Sequence, residues 1–265
     1  MLEKFFKFST PTADMNKKVF AGVDGCSAGW FAVFLAEENG KNCGWKTGLF
    51  PEFSLLIDFL NKEYKQAEPF ILIDIPIGLK TGGSGERLSD SGARSILKAR
   101  KSSIFPVPCR EAVYMESYEK ACEVNEKLTG KRISKQAWNI MPKIRDVDSF
   151  LIKNEVFREK VREVGPEICF QTFAGIPMKY SKKNPEGFLE RKKTLKKVWL
   201  LTDEIIGAAF SKYRRKEVAK DDILDALAAA VTAKMGSKYG FKHVPFEPEI
   251  DSKGLKIQMV YCVPE

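Results

Sequence analysis

The chain has one histidine, His243, in 265 residues, and its six cysteines form no Cys-x-x-Cys pair. Cys26, Cys43, Cys109, Cys122, Cys169 and Cys262 are scattered without a short-range histidine partner, which argues against structural zinc and against a disulfide framework. His243 sits in a polar, proline-containing segment at 242–248 and reads as a loop residue. Catalysis by a Ser/His or Cys/His pair would rest on it alone, so that class is set aside. No stretch approaches the roughly 18–20 apolar residues of a membrane span, and residues 1–20 lack both an apolar core and an A-x-A site. The expectation is a soluble, cytoplasmic protein with no membrane partner. The glycine-rich stretch 78–85 lacks the G-x-x-x-x-G-K-[ST] pattern and reads as a flexible turn. Internal repeats, low-complexity tracts and an obvious interdomain linker are also missing, which points to one domain.

What is present is core-forming residues, carboxylates and a basic excess. Hydrophobic residues make up 44% of the chain and aromatics 11%, ample for a core. Lys and Arg number 44 against 35 Asp and Glu, a formal charge of +9, which favours a polyanionic partner, nucleic acid first. The excess is uneven: Lys179, Lys182, Lys183, Arg191, Lys192, Lys193, Lys196 and Lys197 crowd one stretch, followed by Arg214, Arg215 and Lys216. That cluster reads equally as a solvated helix face and as a nucleic-acid contact.

Along the chain, residues 1–17 read as a flexible leader, and Met15 offers an alternative start. Strand patterns follow at 19–23, 30–36 and 43–50, with Asn39-Gly40 as the second turn, so an antiparallel meander of three strands is expected. Leu55, Leu56, Phe59 and Leu60 fall at helical spacing before the apolar run at 70–75, a strand buried on both faces and reached by a parallel crossover. Helical patterns then occupy 86–101, 110–128, 135–140 and 143–164, broken at Pro106, Pro108, Gly130, Pro142 and Gly165-Pro166. This block, about 80–165, reads as a helical insert in a domain spanning 18–265. A short strand is expected at 167–173, helix at 185–210, a strong Ala- and Leu-rich helix at 219–234 and a last strand at 255–262.

The chemistry must come from acids. Asp24 closes the first strand beside Gly25, open on the side where a metal or phosphate would sit. Asp74 interrupts the apolar run at 71–75, where a lone buried carboxylate would cost several kcal/mol unless paired or ligated. Asp222 and Asp225 stand three apart in the first turn of the last helix, on one face. The plainer reading of that pair is a helix start, with Asp222 as N-cap and Asp225 at the third position. Taken together, carboxylates of this kind can hold two divalent cations roughly 3.5–4 Å apart, activating water against a phosphodiester, and Mg²⁺ or Mn²⁺ suits the oxygen ligands. Glu167 is either a further ligand or the cap of its element.

Six motifs sharpen this pattern: Gly-Val-Asp-Gly-Cys-Ser-Ala-Gly-Trp at 22–30, Ile-Asp-Ile-Pro-Ile-Gly-Leu at 73–79, Arg-Lys-Ser-Ser-Ile-Phe-Pro-Val-Pro at 100–108, Gln-Ala-Trp-Asn-Ile-Met-Pro-Lys-Ile-Arg at 136–145, Pro-Glu-Ile-Cys-Phe at 166–170 and Lys-Asp-Asp-Ile-Leu-Asp-Ala-Leu-Ala at 220–228. Over about 18–233 the chain resembles the domain-of-unknown-function family 429, described as ribonuclease H-like nucleases. The resemblance implies an α/β fold of ribonuclease H-like type, a mixed sheet with a helical insertion. It further implies metal ligation by Asp24, Asp74, Asp222 and Asp225, with Glu167 in a His-Pro-Glu motif whose histidine is Gly165 here. Arg94, Arg100, Ser102, Ser103, Lys143 and Arg145 are family-like positions able to hold phosphates, or else to pair with Asp90, Asp146 and Asp148 on helix surfaces. A metal-dependent nuclease acting on DNA or RNA is the function implied. Two other readings stand beside it: a nucleic-acid-binding module that does not cut, and a nucleotide-binding protein related to actin-like kinases, for which no second Asp-Gly half is found.

Overall fold

The computed structural model describes residues 17–83 and 85–264, so the expected leader, Lys17 apart, and the start at Met15 lie outside the described residues. Alternation along the first hairpin decides the layering. In β1 (Lys17–Cys26), Val19, Ala21 and Val23 face one layer and Phe20 the other; in β2 (Gly29–Glu38), Trp30, Ala32 and Phe34 oppose Phe31, Val33 and Leu35. Asn39 and Gly40, both at positive φ, form the turn into β3 (Lys41–Phe50). From there α1 (Phe53–Glu63) crosses over to β4 (Glu68–Ile73), which pairs parallel to β1.

The chain continues through α2 (Leu88–Leu97), a 3-10 segment at Lys98–Ser103, α3 (Arg110–Val113), α4 (Tyr118–Thr129) and α5 (Lys135–Lys153). It returns to the sheet in β5 (Val161–Val164), then runs through α6 (Pro166–Ala174), α7 (Pro185–Val198), α8 (Thr202–Lys212) and α9 (Lys220–Tyr239) to the hairpin β6 (Lys242–Ile250) and β7 (Lys256–Tyr261). The seven strands are ordered β3-β2-β1-β4-β5-β7-β6, with β1, β4, β5 and β7 mutually parallel. This mixed α/β sheet, an antiparallel meander joined to parallel strands, agrees with a ribonuclease H-like fold. One face carries α1, α3, α4 and α5, the other α6 to α9. No helix among the described residues is long and apolar enough to cross a membrane.

Several sequence expectations need correction, among them the helix expected at 110–128, which is two helices separated at 114–117. Residues 161–164, expected as a helix end, form β5, because Val161 and Val164 are buried between β4 and β7. Residues 167–173, expected as a strand, form α6, started by Pro166 at its first position and stopped by Gly175 at φ +71°. Pro142 does not break α5, whose buried face of Ala137, Met141, Ile144, Val147 and Leu151 outweighs the roughly 3 kcal/mol that an interior proline costs. The helix expected at 185–210 is two helices separated at 199–201. His243 and its neighbours lie in β6, not in a loop.

One packing contact positions the site. Helix α9 is buried on almost every side from Ile223 to Ala233, as its Ala-rich sequence requires. It lies so close on β1 that a Cβ at Gly22 would fall 2.0 Å from the Ala226 carbonyl oxygen and 2.1 Å from the Ala230 nitrogen. Only glycine permits that approach. Asp24 lies two residues beyond Gly22 on the same side of β1, and Asp225 immediately precedes Ala226, so the contact brings the two acids together.

Candidate metal centre

Strand register supplies the third acid. Gly22 pairs with Leu72 and Val23 with Ile73, and Asp74 N–H donates to the Val23 carbonyl at 3.0 Å, so the next step of the parallel ladder sets Asp74 beside Asp24. Asp74 and Leu72 share the α9 side by the two-residue alternation, and Leu72 packs with the α9 cluster. One carboxylate oxygen each from Asp24, Asp74 and Asp225 lies within 4.8 Å of the other two. Asp24 is 8% exposed and Asp225 1%, while Asp74 is half-buried and keeps the group open to solvent. Three of the four expected ligands therefore meet, from β1, from the turn after β4 and from α9.

Electrostatics show an excess of negative charge. Burial, followed by the charges of Asp74, Asp225 and Asp222, holds the Asp24 carboxyl well above its ordinary value. Burial pushes Asp74 up to about 7; Lys182 opposes the shift, while Asp225, Glu163 and Glu167 add to it. Asp225 is likewise raised by burial, against the pull of Lys182. Among the described residues no arginine pairs with any of the three. The single cation in contact is Lys182, from the segment between α6 and α7, whose Nζ lies 2.5 Å from Asp225 Oδ2. Asp225 in turn raises the Lys182 ammonium well above its usual value.

The other expected site residues separate into neighbours and supports. Asp222 sits at the third position of α9, where its Oδ2 accepts from the Ala219 N–H at 2.8 Å. The expected cap was Asp222 itself; the cap is Ala219, and α9 starts at Lys220, within one residue of the helix expected at 219–234. Asp222 still faces the cluster: it adds to the Asp24 shift and is itself raised to about 6, chiefly by burial. Glu167, in the first turn of α6, is held at both oxygens by Arg191 Nη2, at 2.6 and 2.8 Å. Arg191 is fully buried, so the carboxylate of Glu167 is committed to a structural pair.

Among the expected phosphate-holding residues, Lys143 comes nearest. Its side chain crosses Gly25, where a Cβ would lie 2.5 Å from Lys143 Cδ, and its Nζ donates to the Gly29 carbonyl at 2.6 Å over the Trp30 ring. Burial lowers its pKa, with Cys26, Asp24, Asp146 and Asp222 pulling the other way. Arg100 Nε donates to the Met178 carbonyl at 2.9 Å, tying its segment to the one that carries Lys182. Arg94 pairs with Glu86 and donates to the Ile104 carbonyl, Ser103 Oγ donates to the Arg100 carbonyl, and Ser102 lines a shallow hollow with Arg94, Lys98 and Lys101. Arg145 donates to the Val113 and Met115 carbonyls and so braces α5 against α3. None of these six pairs with Asp90, Asp146 or Asp148: Asp90 pairs with Arg87, Asp148 with Arg110, and Asp146 accepts from Trp30 Nε1 and Phe53 N–H.

Sequence reasoning left Lys182 as one lysine in a basic run. Its selection depends on how its segment is anchored, by Glu190 accepting from the Lys179 and Tyr180 N–H groups and Arg191 donating to the Tyr180 carbonyl. No local pattern carries that information.

The donor set is all oxygen, negatively charged and partly desolvated, the chemistry that Mg²⁺ and Mn²⁺ take and that thiolate-seeking ions do not. The residues present therefore fit a divalent cation. The family model described as Protein of unknown function (DUF429) matches residues 22–249, which include all the acids of the cluster. No curated protein and no solved structure matches the chain.

Proposed function

Since the chain belongs to the DUF429 family, whose description assigns no activity, its function has to come from its site, and we propose that it is a metal-dependent nuclease hydrolysing phosphodiester bonds of DNA or RNA. The observation that carries this reading is the convergence of Asp24, Asp74 and Asp225, with oxygens within 4.8 Å at the carboxyl ends of two parallel strands and the start of α9. Carboxylates so gathered repel one another and any phosphate; they are useful only with cations between. Mg²⁺ or Mn²⁺ at this position supplies charge for the scissile phosphate and activates water as nucleophile.

The protein's own groups divide the remaining work. Asp24, Asp74 and Asp225 hold the ion, and Asp222 closes the α9 side with the oxygen not engaged by the helix cap. Lys182 and Lys143 set positive charge beside the acids, and the hollow lined by Lys98, Lys101, Arg94 and Ser102 offers a separate basic patch to a phosphate backbone. The formal charge of +9 supports the same class of substrate. The test is cleavage of single-stranded, duplex, hybrid and branched substrates in Mg²⁺ or Mn²⁺, with Asp74→Asn as control. Ion-dependent cleavage that disappears in the variant supports the nuclease. Tight binding without cleavage overturns it in favour of a binding module, and ATP turnover without cleavage in favour of a kinase-like protein.

A further inference from the structure

The acids available to ligate are fewer than the motif pattern implies. Five carboxylates were expected at the site, but both oxygens of Glu167 belong to Arg191, and one oxygen of Asp222 belongs to the α9 cap. Asp225 Oδ2 is taken by Lys182, leaving Oδ1 free to ligate. With Oδ2 held by Lys182, Asp225 does not bridge two cations through its two oxygens, and the charge points the same way. Asp24, Asp74, Asp222 and Asp225 with Lys182 leave an excess of three negative charges, of which one divalent ion cancels two, while a second would overshoot.

Lys182 is also a built feature. Its side chain is 35% exposed, yet its backbone is fixed from three directions: Glu190 accepts from the two N–H groups at 179 and 180, Arg100 donates to the Met178 carbonyl, and Gly187 packs so closely that a Cβ there would lie 1.9 Å from the Ser181 carbonyl oxygen. An ammonium on so anchored a segment is preorganised and does not have to be recruited from solution.

We propose that Lys182 stands in the place of a second cation, so that the acid pocket takes one divalent ion beside a resident ammonium. The inference rests on the nuclease reading for its role: Lys182 supplies at the phosphate the charge that a second ion supplies in two-ion enzymes. Its count of ions is measured without any substrate.

The experiment is titration of the full-length protein with Mn²⁺, read by calorimetry and by electron paramagnetic resonance. Wild type binds a single equivalent and gives an uncoupled six-line spectrum. Lys182→Met, similar in length but uncharged, binds about two equivalents with the exchange broadening of ions about 3.5–4 Å apart. Lys182→Arg, which keeps the charge, still binds one. Two equivalents in wild type overturn the inference whatever the variants do, and a single equivalent in a folded Lys182→Met also overturns it; the nuclease reading survives both. Absence of Mn²⁺ binding in wild type and Lys182→Met alike removes the nuclease reading, and the inference falls with it.

Discussion

Two groups of buried acids lie against the sheet, and they differ in whether arginine matches them. On the side of the sheet that carries α5, Arg110 binds Asp148 through two bonds, at 2.6 and 3.0 Å, and also pairs with Asp251, whose carboxylate accepts from the Leu79, Lys253 and Leu255 N–H groups. Arg87 likewise joins Glu163 and Asp90. On the α9 side, Asp24, Asp74 and Asp225 share one lysine. Matched acids hold elements in place; burial raises the pKa of Asp90 and Glu163 as it raises that of Asp24, Asp74 and Asp225, but only the last three have no arginine beside them. Burial is common to both groups, so the missing arginine is what marks the α9 cluster as a site.

The comparison breaks most readily at Arg110. Arg110→Met leaves Asp148 and Asp251 buried without their partner and lowers stability by about 3–5 kcal/mol in urea denaturation. A loss below about 1 kcal/mol would mean that the matched group is not structural. Next in size is the contact that assembles the unmatched group. Gly22→Val drives a side chain into the α9 backbone and costs about 3 kcal/mol or more, and any folded fraction binds Mn²⁺ more weakly because Asp24 and Asp225 are forced apart. Unchanged Mn²⁺ affinity in that variant would show that α9 is not what positions Asp225.

The pH response sharpens the contrast. Asp74 is held at about 7 in the fold against 3.8 ordinarily, so between about pH 4 and 7 the folded chain keeps a proton that the unfolded chain has released. Stability in EDTA therefore falls as pH rises through that window, by on the order of 2 kcal/mol from this group, and levels off above it. Asp74→Asn flattens the fall, and Mn²⁺ reverses it, because ionised carboxylates bind the ion. An EDTA profile that does not change on Asp74→Asn contradicts the assignment. The smallest effect on stability belongs to Asp24→Asn, which removes repulsion and raises stability by about 1 kcal/mol without ion while lowering ion-dependent cleavage by at least about 10²-fold. A destabilising effect of similar size would place Asp24 among the matched acids.

Much of this was legible in the sequence because the signals were local. Alternation across 19–35, the Asn39-Gly40 turn and the apolar run at 70–75 that Asp74 interrupts gave four strands, and the Ala-rich composition gave α9. The same locality located Asp24 and Asp74, since an acid at the end of an apolar strand is conspicuous. Where the signal was local but contested, the reading failed. Val161-Arg-Glu-Val looks like the end of the helix before it, and its burial between β4 and β7 decides otherwise. The β-branched and aromatic residues of 167–173 outweighed the Gly165-Pro166 start signal that in fact opens α6. Pro245 and Pro248 disguised β6 as a loop. What was illegible is nonlocal: Arg191 reads as one more base on a lysine-rich helix, yet it is fully buried and occupies Glu167, and Lys182 is distinguished from its neighbours only by the fold.

The most direct measurement is anomalous diffraction from crystals of the protein soaked in Mn²⁺. The account predicts a peak between the Asp24, Asp74 and Asp225 carboxylates at about 2.0–2.2 Å from the ligating oxygens, with Arg191 still on Glu167. Ordered density for those three side chains with no peak among them, or a peak held by other residues, would contradict it.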